Sequence, residues 1–76
     1  MVHAFVMAET AAGAAGSAVE TALTRDAVVE AHVVAGEYDV IAEVEGDTVD
    51  AVVGAAADLR SIEGVLDSKT YVAMDD

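Results

Sequence analysis

The chain has 76 residues, a net charge of −12 and no cysteine. A single domain of this size buries only about 60% of its unfolded surface, and without cysteine neither disulfides nor thiolate metal ligands can reinforce it. The chain has fifteen acidic residues and only three basic ones, Arg25, Arg60 and Lys69, which are scattered along the sequence. This balance argues against binding to nucleic acid or to an anionic membrane surface.

The first third of the chain is predicted to form a strand and a helix. The segment from Val2 to Ala8 is apolar and contains β-branched and aromatic residues, as a strand does, and both of its faces are mostly apolar, so we expect both to be covered. The small-residue stretch from Ala11 to Gly16 leads into a helix of about Ala14 to Thr24. Its apolar stripe has helical spacing and consists of Ala15, Ala18, Val19, Ala22 and Leu23.

Two strands and a short loop are predicted in the middle of the chain. Val28 to Ala35 is the second strand and Asp39 to Glu45 the third, with apolar residues alternating in the latter. These strands are expected to pair as a hairpin. The loop Gly36-Glu37-Tyr38-Asp39 joins them, and a glycine at this joint can adopt a positive φ without steric cost.

The last third is predicted to form a helix, a strand and a tail. Asp47 is a suitable N-cap for a helix from about Thr48 to Arg60, and Asp50 favours the positive end of that helix. Val65 to Ala73 is the fourth strand, and residues 74–76 are expected to fray.

The element order β-α-β-β-α-β predicts a single ferredoxin-like α+β domain over residues 1–76. Two right-handed βαβ units give a four-stranded antiparallel sheet with both helices on one face. The other face is then left open, although the first strand is apolar on both sides. Burial of this face against the sheet of a second copy is the simplest solution, so we expect a homodimer.

Three segments resemble the effector-binding domain of the Lrp/AsnC family of feast/famine regulators in its stand-alone form, without a helix-turn-helix. They are residues 2–6, residues 31–44 with the Gly-x-Tyr-Asp turn, and residues 62–72. The resemblance implies dimers formed through the sheets, rings of dimers, and amino acids bound between dimers near the loop. It also implies mixed assembly with a full-length Lrp/AsnC regulator as a possible partner.

The loop residues Gly36, Glu37, Tyr38 and Asp39 are the first candidate site for a free amino acid. Backbone amides beside the glycine can meet its carboxylate, Asp39 its ammonium group, and Tyr38 offers a flat apolar body with a hydroxyl. The alternative is a tight turn in which Asp39 satisfies loop amides.

Two further candidates, Ser68 and Thr70, lie two residues apart on one face of the fourth strand. They could line a ligand pocket across a dimer interface, or they could form a polar strip on a half-exposed strand. His3 and His32, in apolar strands, are interpreted as structural. No catalytic constellation, metal site or cofactor is predicted.

Three hypotheses for function follow. The first is an amino-acid sensor that regulates transcription through a partner. The second is a cofactor-free monooxygenase or isomerase of the same fold, with His3, His32 or Asp67 as acid or base. The third is an assembly module without ligand. The sequence shows no signal peptide or membrane span, which indicates a cytoplasmic protein. Its acidity favours a halophilic source over a docking face for a basic partner.

Overall fold

The computed structural model describes residues 1–75, so Asp76, the last residue of the predicted tail, lies outside the described residues. The predicted order of strands and helices is confirmed. The elements are β1 (Val2–Thr10), α1 (Ala15–Ala22), β2 (Val28–Val33), β3 (Val40–Gly46), α2 (Val49–Arg60) and β4 (Val65–Val72).

The four strands form one antiparallel sheet in the order β2-β3-β1-β4. The central strands are β1 and β3, and Ala4 of β1 lies opposite Val44 of β3 on one side and Val72 of β4 on the other. The hairpin between β2 and β3 is confirmed by their pairing. This is the predicted ferredoxin-like sheet, with β2 and β4 at its edges.

The core lies between one face of the sheet and both helices. Val40, Ala42 and Val44 of β3 are buried, as the alternation in the sequence predicts. They pack with residues of α1 and α2 and with the even-numbered residues of β1. Most core side chains are small. The buried cluster consists of Ala4, Val6, Ala18, Ala22, Ala31, Ala42, Val44, Val52, Ala56, Leu59 and Ile62.

The opposite side of the sheet, here called the open face, is not covered within the protomer. It carries aromatic side chains of which Phe5 is 39% and Tyr71 54% exposed. A hydrogen-bonded polar pair lies beside them, in which Nδ1 of His3 is 2.9 Å from Oε2 of Glu43. The open face is formed by His3, Phe5, Met7, Ile41, Glu43, Lys69 and Tyr71.

The N-cap of α2 is Thr48, so the prediction of Asp47 is wrong by one residue. The Thr48 backbone is extended, and its Oγ1 accepts a hydrogen bond from the Ala51 amide at 3.1 Å. This is the geometry an N-cap needs, and both residue types can supply it. Asp50 does lie in the first turn, as predicted.

The second strand is shorter than predicted, and the conformational role suggested for Gly36 is wrong. The Val34 amide donates to the Asp39 carbonyl at 2.8 Å, which closes the loop early and ends β2 at Val33. Gly36 does not adopt a positive φ; Gly13 and Gly64 do. Neither helix found within residues 1–75 is long and apolar enough to cross a membrane.

Candidate functional site

The loop formed by Gly36, Glu37, Tyr38 and Asp39 is fixed to the end of the central strand β1. The Asp39 amide donates to the carbonyl of Ala8 at 2.9 Å, while the Asp39 carbonyl accepts from Val34. Both hydrogen bonds are made by Asp39, so the end of the loop that leads into β3 is attached to the sheet by its backbone.

The Asp39 carboxylate is a third anchor. Its Oδ2 accepts a hydrogen bond from the Thr10 amide at 2.9 Å. Thr10 lies where the register between β1 and β4 shifts, and such an irregularity leaves an amide without its regular ladder partner. One carboxylate oxygen of Asp39 thus satisfies a backbone amide at the end of β1, and not an amide of its own loop as in the tight-turn alternative.

Tyr38 and Lys69 come together at the same end of the molecule. The charge of the ionisable Tyr38 phenol is the largest cause, and its hydrogen bonding the next, of a rise in the pKa of Lys69 above the ordinary 10.5. Lys69 lies opposite Met7 on the open face. The loop and this strand therefore display a carboxylate, a phenol and an ammonium group within one region.

Gly36 and Glu37 form the exposed tip of the loop. A Cβ atom added to Gly36 would have nothing within 4 Å. Space is therefore open over this part of the backbone, where a ligand or a second subunit can approach.

Ser68 and Thr70 lie on the other side of the sheet, apart from Tyr38 and Lys69, because side chains alternate along β4. They face a groove of about 350 Å³ between α2 and β4, here called the α2/β4 groove. Its lining consists of Val53, Ala56, Ala57, Arg60, Ser68, Thr70 and Val72. One protomer thus does not bring the six candidate residues into one pocket.

The histidines named for acid–base chemistry line neither of two cavities in residues 1–75, whereas the carboxylate of the third candidate, Asp67, contacts the groove-lining Arg60 at 3.4 Å. His3 pairs with Glu43, His32 contacts Glu30 at 3.1 Å, and neither histidine lines the α2/β4 groove. The second cavity is an apolar void of about 20 Å³ in the core, too small for a substrate. Residues 1–75 contain no group of three or more side chains able to hold a metal ion.

Two cations belong to the candidate sites although they did not stand out in the sequence. Lys69 lies beside the loop, and Arg60 lines the α2/β4 groove. The position of Lys69 between Ser68 and Thr70 is a sequence signal that it faces the other side of the sheet. The role of Arg60 depends on how α2 packs on β4, which no local pattern specifies.

Comparison with known families gives one match over nearly the whole chain. The family model described as the Lrp/AsnC ligand binding domain matches residues 3–76. A search of curated proteins finds no match.

Solved structures show the same fold. A hypothetical protein from Pyrococcus horikoshii is 35% identical, with a TM-score of 0.89, over 100% of this chain and 93% of that chain. AsnC from E. coli is 21% identical, with a TM-score of 0.87, over 99% of this chain and 52% of that chain. A transcriptional regulator from Neisseria meningitidis, solved in complex with L-Met, is 19% identical, with a TM-score of 0.79, over 99% and 51%. The chain thus spans about half of these two regulators.

Proposed function

The chain belongs to the Lrp/AsnC ligand-binding domain family, and we propose that it senses a free amino acid at the interfaces of a homo-oligomer. The family and the regulators that share the fold support a regulatory, ligand-sensing role. In the proposed mechanism, the bound state changes the assembly and passes to a partner regulator of the same family.

The observation that carries this proposal is the loop of residues 36–39. Its last residue, Asp39, is held by backbone hydrogen bonds to Ala8 and Val34 and by a bond from the Thr10 amide to its carboxylate, while the tip of the loop is exposed. A rigid frame with a displayed tip binds with little loss of conformational entropy. The amides near Gly36 or the Lys69 ammonium group can receive a ligand carboxylate, and the acidic Glu37 or Asp39 can receive its ammonium group.

The loop needs a second subunit to enclose a ligand. The core void and the α2/β4 groove are lined by other residues, and the tip of the loop faces open space. The open face supplies a reason for self-association, because its aromatic side chains are half exposed in the protomer. Ser68 and Thr70 would contact the same effector only where a neighbouring subunit brings its loop to their groove.

Thermal unfolding against a panel of single amino acids tests this proposal. At 100 times its dissociation constant, a ligand adds about 2.7 kcal/mol to the free energy of unfolding, which raises the midpoint of a domain this small by about 11–22 °C. We expect such a shift for one or two amino acids in concentrated KCl. The bound regulator from N. meningitidis makes L-Met one member of the panel.

Variants locate the site. Tyr38→Ala should abolish the ligand shift without changing the oligomer size measured by light scattering. Leu23→Ala, which shortens an exposed side chain at the end of α1, should leave the shift intact. A flat panel would contradict amino-acid sensing and favour the ligand-free assembly module, while a shift that survives Tyr38→Ala would place the site elsewhere.

A further inference from the structure

A group of acidic and imidazole side chains lies on the same side of the sheet as the open face. His3 of β1 is directly opposite Glu45 of β3, and its Nδ1 is 2.9 Å from Oε2 of Glu43. Glu43 is in turn opposite Glu30 of β2, whose Oε1 is 3.1 Å from Nε2 of His32. Because directly opposite residues of an antiparallel pair share a face, these five residues form one row across three strands, here called the imidazole–carboxylate cluster.

The charge of this cluster is set by its two histidines. Glu30 and Glu43 are like charges in directly opposite positions, which is normally destabilising. Within residues 1–75 each of them pairs with a histidine and with no lysine or arginine. With three carboxylates, the cluster carries three negative charges while both imidazoles are neutral and one when both are protonated. Histidine side chains make this change between about pH 5 and 8.

The other ionisable side chains on this side of the sheet keep their charge over that range. Lys69 and Tyr71 of β4 lie beyond Phe5, which is opposite Tyr71. Lysine and tyrosine side chains retain their protons up to about pH 10. Glu9 and Asp67 lie opposite each other at the far end of β1, and carboxylates there are ionised above about pH 5. Near neutral pH the imidazoles therefore control the charge of this surface.

Association through the open face would bury part of the cluster. Glu43 is directly opposite Phe5, so a second copy that covers the aromatic side chains also covers the pair of Glu43 and His3. These two side chains are already only 22% and 31% exposed in the protomer. Taking a carboxylate out of water is costly unless a cation accompanies it, and a protonated His3 supplies that cation. A twofold axis would bring two such clusters to one interface, which doubles the effect.

We propose that the imidazole–carboxylate cluster makes self-association of this chain depend on pH, with protonation of His3, and to a smaller extent of His32, strengthening it. This regulation rests on the self-association in the proposed function and requires no amino acid. The associated form binds more protons than the separate protomers, so its dissociation constant falls as the pH falls through the range in which histidine titrates. His32 contributes less, because its pair with Glu30 is more than half exposed.

Sedimentation of the full chain between about pH 8 and about pH 5.5, in concentrated KCl to screen the overall charge, tests the proposal. We expect the dissociation constant to fall about tenfold or more over this range. His3→Gln, which keeps a hydrogen-bonding side chain but cannot titrate, should lose most of this change, and His32→Gln should lose less. Urea unfolding at several protein concentrations, which also confirms that each variant folds, measures dissociation constants too low for sedimentation.

Glu20→His is the matched control. Glu20 is exposed on α1, so this variant adds a titratable imidazole on the other side of the sheet and should show the pH dependence of the parent protein. If it changed the pH dependence as much as His3→Gln does, the overall charge and not the cluster would be the cause, and the proposal would be wrong.

Three further outcomes would overturn the proposal: a dissociation constant independent of pH, an unchanged pH dependence in His3→Gln, and protomers that stay separate at every pH. The first of these combined with a selective amino-acid shift would leave the proposed sensing function standing. A pH-dependent association lost in His3→Gln, combined with a flat amino-acid panel, would instead remove amino-acid sensing and support this inference.

Discussion

Asp39 contributes to folding as well as to the proposed ligand site. Its carboxylate accepts the Thr10 amide at the register shift of β1, and a hydrogen bond to a charged group typically contributes about 1.5–3 kcal/mol. We expect Asp39→Ala to lower the free energy of unfolding by about this amount in urea denaturation without ligand. Asp39→Asn, which keeps an acceptor oxygen, should lose less than half as much.

Glu37 provides the control for this prediction. It lies two residues away on the same loop, is exposed, and makes no side-chain hydrogen bond within residues 1–75. Glu37→Ala should leave the unfolding midpoint nearly unchanged. Equal destabilisation by the two alanine variants would show that loss of negative charge, and not the Thr10 hydrogen bond, causes the effect.

The effect of Tyr38 on the pKa of Lys69 can be tested by titration. Tyr38 raises the pKa of Lys69, because the charge of its ionised form and, next, a hydrogen bond with its oxygen favour the protonated amine. Tyr38→Phe removes both, so the pKa of Lys69 should fall toward 10.5 in an NMR titration of its side chain. Tyr71 is a smaller cause of the same rise, and Tyr71→Phe should lower the pKa less. The reverse order would contradict the position of the loop.

At the scale of elements, the periodicity of apolar residues correctly predicted which side of a strand is buried. Alternation along β3 indicated that Val40, Ala42 and Val44 share one side of the strand, and this side is the buried one. The N-cap of α2 could not be assigned from the sequence, because Asp47 and Thr48 are both good N-cap residues and only the backbone conformation selects between them. The α2/β4 groove could not be predicted, because it depends on how two distant segments pack.

Gly64, between α2 and β4, is constrained by its own backbone and by its surroundings. Its φ is +93°, and an added Cβ would lie 2.8 Å from the Cβ of Ala14 before α1. We expect Gly64→Ala to cost about 1–3 kcal/mol in the free energy of unfolding. Gly54→Ala is the matched control, since Gly54 lies within α2 with open space around it and alanine there should stabilise by up to about 1 kcal/mol. Similar effects of the two substitutions would mean that the turn at Gly64 can relax.

For the whole molecule, two properties act against each other. The half-exposed aromatic side chains of the open face favour association, whereas a net charge of −12 on 76 residues opposes both compaction and the approach of a second copy. The sequence predicted both properties from composition and strand pattern. Their balance depends on the solvent, because salt weakens the repulsion between exposed charges but leaves apolar contacts in place.

Stability should therefore rise with salt. The Debye length falls from about 10 Å at 0.1 M to about 3 Å at 1 M ionic strength, so the free energy of unfolding is expected to increase by on the order of 1 kcal/mol over this range. Urea midpoints at a fixed protein concentration, compared between the two ionic strengths, measure this increase. A triple variant, Glu20→Gln, Asp47→Asn and Glu63→Gln, neutralises three exposed acids and should depend less on KCl. An unchanged dependence would show that salt acts by strengthening apolar burial and that the acidic surface is not its target.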